Sequence, residues 1–339
     1  MNILLTNTVR CAIYFILRSW ERALVALGHK VAWFDNNTTI DFLESFKPDI
    51  YVGVSGHFHA LPETIREKYK TKVVYHVNPY GKRIESEPGW PDINESDETI
   101  DKVAKQKPDL VWGYFCNDHV VYWHKWRSEL GIPVCGIPTA GDHILYTKRN
   151  PEDRFKCDLA FVGGYWDYKG INLKKYLIPL CDRFNIKIYG SGWHKQNIIA
   201  GEISDEDVPI LFSSAKIGPC VHEPHTTVYG IDIPERIFKV PLCGLLAVTD
   251  PVMNIEYYFP PGTIPVAINP EHYVSLVEYY LRDKNRRKAL ARIQKNHILS
   301  NHTYIHRMMT LFNALGMIEE CQRVREYMNG ELERVLISS

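Results

Sequence analysis

The chain has 339 residues, 45% hydrophobic and 12% aromatic, and its 40 Lys and Arg balance its 40 Asp and Glu. At roughly 100–200 residues per domain, this length suggests two domains, each able to bury a core of its own. High hydrophobicity without net charge excludes disorder as the dominant state. It also excludes bulk electrostatic coating of nucleic acid or anionic membrane, and leaves room only for a local basic groove. Eight cysteines stand at 11, 116, 135, 157, 181, 220, 243 and 321 with no CxxC pair, the pattern of reduced, mostly buried thiols. The apolar run 11–17 is stopped by Arg18, far short of the ~20 residues of a membrane span. The stretch before it reads as a strand and not as a signal peptide. The expected location is the cytoplasm.

Apolar, β-rich runs at 2–6, 30–35, 50–55, 72–78, 110–115 and 134–139 alternate with helical stretches. Between the first two, Ile13, Ile16, Leu17, Trp20, Leu24 and Leu27 recur at helical spacing, and Gly28 closes the segment. Strands apolar throughout and separated by single helices specify a parallel sheet covered on both faces. Right-handed crossovers then bring every strand's C-terminal end to one edge. After a polar stretch at 147–156 the pattern restarts, with strands expected at 158–163, 186–190, 216–221, 245–250 and 264–268. Helices are expected at 170–184, 205–214, 233–242 and 270–282, followed by a helix-rich tail over 284–336. The expected fold class is α/β, with two Rossmann-like doubly wound domains, 1–150 and 151–315, facing each other across a cleft. Residues 316–339 are expected to form a helix that packs back on the first domain.

No GxGxxG follows the first strand, no GxxxxGK[ST] occurs, and neither HExxH nor CxxC supports a metal site. Asp205-Glu206-Asp207 has the form of a metal-holding DxD. It follows Ser204 and opens an apolar helical run, so it reads as the acidic first turn of a capped helix.

Three segments carry more. Phe161 to Gly170 ends a strand in Gly163-Gly164, continues through an aromatic loop and brings Lys169 to the next helix, where backbone N–H groups and an ammonium suit a diphosphate. A second glycine-rich strand exit, Gly190-Ser191-Gly192-Trp193, offers an indole to stack on a base or to pack between layers. From Lys216 to Asp250 a strand delivers His222 and Glu223 to a loop. A helix from about 233 carries Glu235, Arg236 and Lys239, able to meet ribose or phosphate, and Thr249-Asp250 stands at a strand end, where Asp250 is either a site residue or the N-cap of a following short helix.

The stretches DLAFVGGYWDYKG, IYGSGW, LFSSAKIGPCV, IPERIFKVPLCGLLAVTD and HTYIHRMMTLFNAL occur in this order in the second half. Together they resemble the C-terminal domain of spore-maturation (CgeB-like) glycosyltransferases, a branch of the GT-B fold. The resemblance implies a nucleotide-sugar donor, UDP- or GDP-linked, no other cofactor, and metal-independent transfer. It implies a diphosphate contact at Lys169, with Gly163, Gly164, Gly192, Trp193, His222, Glu223, Tyr229, Glu235, Arg236 and Lys239 around the donor. Many relatives carry two glutamates eight positions apart in this region; here those positions hold Ile231 and Lys239, and Glu235 or Asp232 are the replacements at hand. The terminal motif at 302–307 reads as structural.

For the acceptor side, strand ends in the first half supply 55–59, 76–81 and 117–119, from which His57 and Asp118 are the candidate catalytic groups. The acceptor stays open among a glycan, a protein, a small molecule and a modified DNA base, the last ranking lower on net charge. Two other readings are carried: a catalytically degenerate binding module, favoured by the missing glutamate pair, and a sugar-nucleotide epimerase or hydrolase on the same scaffold.

Overall fold

The computed structural model describes residues 1–77, 96–114, 123–196, 201–230 and 232–337, with only the backbone of Lys195 and Tyr229. Two compact units divide the chain. The first comprises 1–138 and 304–329, and the second 139–303 and 330–339. These limits differ from the expected ones: the first unit ends before residue 150, and the chain returns to it at 304.

In the first unit, β1 (Asn2–Thr6), α1 (Ala12–Ala26), β2 (Lys30–Phe34), α2 (Ile40–Phe46), β3 (Ile50–Val54), α3 (Glu63–Tyr69), β4 (Lys72–His76), α4 (Asp97–Lys105), β5 (Leu110–Gly113) and β6 (Val134–Gly136) alternate. The strands form one sheet in the order β2-β1-β3-β4-β5-β6, and every pair is parallel. β3 is buried at all five positions, as a strand covered on both faces requires. The apolar stripe of α1 buries Ile16, Leu17, Trp20 and Leu24, and Trp20 stacks on Trp112 of β5 at 4.6 Å. The helix Tyr304–Ala314 packs on α1. It buries Ile305, Met308, Leu311 and Phe312, which is why 304–329 belong to this unit; of the segment 316–339 expected to pack back on the first domain, the part from 330 belongs to the second unit instead. Chain order reverses between β1 and β3, and this switch point opens beside the C-terminal ends of both strands.

The second unit runs β7 (Leu159–Val162), α5 (Asp167–Asn172), α6 (Ile178–Cys181), β8 (Ile186–Tyr189), α7 (Asp207–Ser214), β9 (Ile217–Cys220), α8 (Pro224–Tyr229), α9 (Arg236–Leu242), β10 (Leu246–Thr249), α10 (Pro270–Arg282) and α11 (Lys284–Asn301). Its parallel sheet has the order β10-β9-β7-β8, with the switch point between β7 and β9. Leu159, Phe161, Ile217, Leu246 and Val248 from the strands join Leu173 and Leu177, from the helical turn between α5 and α6, and Tyr273 of α10 in its core.

Local sequence explains the departures from expectation. The strand expected at 264–268 reduces to a single bridge, Thr249 with Val266, because Pro265 has no N–H for a ladder. Helix α9 starts at Arg236 and not at 233, since Pro234 disfavours helical backbone in the residue before it. The acidic triplet behaves as a capped start: Ser204 Oγ accepts the Asp207 amide at 3.1 Å, and Asp207 pairs with Arg154 at 2.8 Å. Among the described residues no cluster of three or more metal-ligating side chains occurs, and no helix is long and apolar enough to cross a membrane. The seven described cysteines are free thiols.

Candidate functional site

The second unit's switch point gathers the charged residues of three elements. Arg236, first residue of α9, spans the gap between the two central strands. Its Nε donates to the Val162 carbonyl at the end of β7 at 3.0 Å, and one terminal nitrogen donates to the Val221 carbonyl just beyond β9 at 3.3 Å. Its guanidinium lies 4.1 Å over the Phe161 ring. Lys169, from α5, is 6% exposed, and its Nζ lies 4.6 Å over the ring of Trp166. Gly163 is where the two cations meet: a Cβ there would fall 2.5 Å from Arg236 Nη2 and 3.3 Å from Lys169 Nζ. Any side chain at this position would displace one head group or both.

Neither cation has a carboxylate within ion-pair distance among the described residues. Burial and the neighbouring Arg236 push the Lys169 ammonium down to about 7, with Glu223 pulling the other way. Arg236 is also lowered, chiefly by burial. Two desolvated like charges that converge with no carboxylate at ion-pair distance, and with Glu223 offsetting them only in part, form a site that binding of an anion would relieve.

The glycine-rich exits interlock. Gly163 donates to Tyr189 O and Tyr165 donates to Ser191 O, both at 2.8 Å, so these amides are committed and not free for a phosphate. Gly192 has φ +84°, and a Cβ there would sit 2.1 Å from Tyr165 O, a backbone approach that glycine alone permits. Trp193 is buried, donates to Gly163 O at 2.8 Å and meets Phe161 edge-on at 5.8 Å. Of the two roles open to it, packing between layers is the one it fills. Gly164 lies against Ser191.

The remaining expected donor residues divide into two groups. Glu235 and Lys239, one helical turn apart, pair with each other at 2.7 Å, and Lys239 Nζ lies 4.6 Å over the Tyr146 ring. Lys239 thus does not join the cations at Gly163. Burial works to lower Lys239, but its carboxylate neighbours, Glu235 first, hold it above the usual lysine range. Around α8, His225 packs parallel to Tyr168 at 5.8 Å, accepts or donates at Nδ1 to the Tyr168 hydroxyl at 3.1 Å, and has Asp232 at 3.4 Å. Burial alone would lower His225; the nearby Asp232 carboxylate, with Glu223, raises it instead. Glu223 is itself raised, mainly by burial. The side chain of Tyr229 lies outside the described residues.

Asp250 caps no helix. It accepts from His222 Nδ1 at 2.6 Å and from the His222 backbone N–H at 3.1 Å, with His222 1% and Asp250 0% exposed. Asn172, three residues beyond Lys169, donates to the His222 carbonyl at 3.1 Å. No motif pointed to this pairing. The only signal was that both residues end neighbouring strands.

In the first unit, His57 lies in the turn after β3, at that unit's switch point. Its Nε2 is 3.6 Å from Cys11 Sγ, and burial, then His59, lower its pKa. His59 Nε2 contacts the Asn7 carbonyl beyond β1 at 3.1 Å. His76 is buried against Trp112 and Tyr114. Asp118, with the rest of 117–119 and 78–81, lies outside the described residues.

Residues 173–313 match the model of a family described as glycosyl transferase-like. This span holds His222, Glu223, Arg236 and Asp250. No curated protein matches the chain in sequence. Among solved structures, sucrose-phosphate synthase from Thermosynechococcus elongatus superposes with a TM-score of 0.58 at 13% identity, over 96% of this chain and 99% of that one. T4 phage BGT in complex with UDP and Mn2+ gives 0.59 at 11%, over 97% and 99%. Anabaena Alr3699/HepE in complex with UDP and glucose gives 0.56 at 12%, over 97% and 100%. The chain has the GT-B fold of these structures, and its residues 173–313 are similar to a glycosyl transferase-like family.

Proposed function

We propose that this protein is a glycosyltransferase that moves a sugar from a UDP-linked donor to an acceptor hydroxyl, with Lys169 and Arg236 holding the donor diphosphate. One observation carries the reading: the two buried cations converge on Gly163, without a carboxylate partner among the described residues, at the switch point between β7 and β9. Open α/β sheets take their ligands at this place. The glycosyl transferase-like segment and the bound UDP of two structural neighbours support the donor class. The order of the five motifs supports the CgeB-like branch.

In the reaction, the bond between the anomeric carbon and the diphosphate oxygen breaks as the acceptor oxygen bonds to that carbon. Negative charge grows on the departing diphosphate, where fixed cations in a water-poor site stabilise it most. This arrangement supports metal-independent transfer. His57, whose lowered pKa favours the neutral ring, is the candidate to take the acceptor's proton. The free thiols and apolar core fit a cytoplasmic enzyme.

A thermal-shift panel of UDP-, GDP-, ADP- and CMP-sugars tests the reading. UDP-sugars should stabilise the wild type, with the shift lost in Lys169→Ala and in Arg236→Ala, and transfer should persist in EDTA. No stabilisation by any donor overturns it.

A further inference from the structure

The His222–Asp250 pair has a polarity that the cation site lacks. A carboxylate only accepts, so the 2.6 Å contact makes His222 Nδ1 the donor, and Asp250 fixes that direction through a second bond to the His222 backbone N–H. In the neutral ring this leaves Nε2 with a lone pair and no proton. Among the described residues Nε2 has no hydrogen-bond partner. Unlike His59 Nδ1, it is not an unpartnered atom shut away from solvent. A nearly buried acceptor is thus left open at the sheet edge that carries the cation pair. Arg236 binds the carbonyl of Val221, the residue before His222, and Asn172 binds the carbonyl of His222 itself.

A diphosphate offers only acceptors, and Lys169 and Arg236 match it. Hydroxyls flank the diphosphate on both sides, on the ribose and on the transferred sugar, and loss of a ribose contact would weaken UDP and UDP-sugar alike. We propose that His222 Nε2 accepts a hydrogen bond from a hydroxyl of the donor sugar, and so contributes to the choice of sugar, while Asp250 is its positioning residue and fixes the tautomer. Donor binding at this site is assumed from the proposed function; the sugar contact is the added claim.

The test separates the two. Dissociation constants for UDP and for UDP-glucose, UDP-galactose and UDP-N-acetylglucosamine are measured on the wild type, His222→Ala, His222→Gln and Asp250→Asn. In His222→Ala the preferred UDP-sugar should weaken about 10- to 100-fold, the range for losing one buried hydrogen bond, while UDP itself changes less than about twofold. His222→Gln, whose amide oxygen can accept, should recover part of the loss. Imidazole nitrogen NMR on the wild type needs no variant to fold. His222 Nε2 should read as the unprotonated nitrogen and move on addition of the UDP-sugar but not of UDP. In Asp250→Asn the proton should shift between the two ring nitrogens. Equal loss for UDP and UDP-sugar in His222→Ala, or an Nε2 that carries the proton in the neutral ring, overturns the sugar contact and leaves the donor site standing. Failure of the wild type to bind UDP overturns the donor site and the sugar contact with it.

Discussion

The most consequential prediction concerns the pH dependence of donor binding. Lys169 has a pKa of about 7 in the free protein because burial and Arg236 both oppose its charge, and Glu223 only partly compensates. A bound diphosphate supplies the missing counter-charge and restores the ammonium, so binding takes up a proton wherever the free lysine has lost one. Affinity is then full below pH 7 and falls as pH rises through that value. Above pH 8 the dissociation constant for UDP should weaken about tenfold per pH unit until the bound-state pKa is reached. UDP itself titrates towards both ends of this range, at its terminal phosphate and at its uracil N3, so the lysine's share is the difference between the wild type and Lys169→Met. The same depression makes folding stability rise with pH between about 7 and the ordinary lysine value of ~10.4, because the unfolded chain there holds a proton that the folded chain does not. The assay is isothermal titration calorimetry from pH 6.5 to 9.5, in buffers of differing ionisation enthalpy so that proton uptake is counted directly. Lys169→Met should bind about 10- to 100-fold more weakly at pH 6.5, the range for losing a charge-assisted hydrogen bond, and show above pH 8 only the slope of UDP itself. A wild-type affinity flat from pH 6.5 to 9.5, or the same slope in Lys169→Met, refutes the reasoning.

Two further substitutions address separate parts of the account. Gly163→Ala puts a methyl group 2.5 Å from Arg236 Nη2 and 3.3 Å from Lys169 Nζ; UDP affinity should fall about tenfold or more with the fold intact by circular dichroism, and unchanged affinity would remove Gly163 from the site. His57→Ala should lower kcat about 10²- to 10⁴-fold with the donor dissociation constant unmoved, and a parallel loss of donor binding would mean that His57 acts through the fold and not on the acceptor's proton.

The strands were legible because parallel, doubly covered strands are short continuous apolar runs, and ten of the eleven expected runs occupy their places in the two sheets. The eleventh contained Pro265, whose missing N–H was visible in the sequence and argued against a strand at 264–268. Lys169 and Arg236 were legible as cations near glycine turns, but their convergence was not. It depends on the β7–β9 adjacency, and Arg236 reaches 74 residues back to Val162. The Glu235–Lys239 pair was readable in principle, since glutamate four residues before lysine on a helix is a favoured ion pair. The resemblance drew attention to the glutamates missing at 231 and 239 instead. Asp250 lies 28 residues from His222; only the parallel pairing of β9 with β10 brings the two strand ends together. A strand-end Asp alone carries no sign of that partner. The return of 304–329 to the first unit rests on the fit of Ile305, Met308 and Phe312 to α1, a tertiary choice that helical periodicity does not encode.

The central claim is that the donor diphosphate binds between Lys169 and Arg236. A crystal structure of the protein with UDP tests it most directly. The account predicts phosphate oxygens within hydrogen-bonding distance of Lys169 Nζ and of the Arg236 guanidinium, above Gly163. Nucleotide bound at another edge of the sheet, with both cations still unpaired, would contradict it.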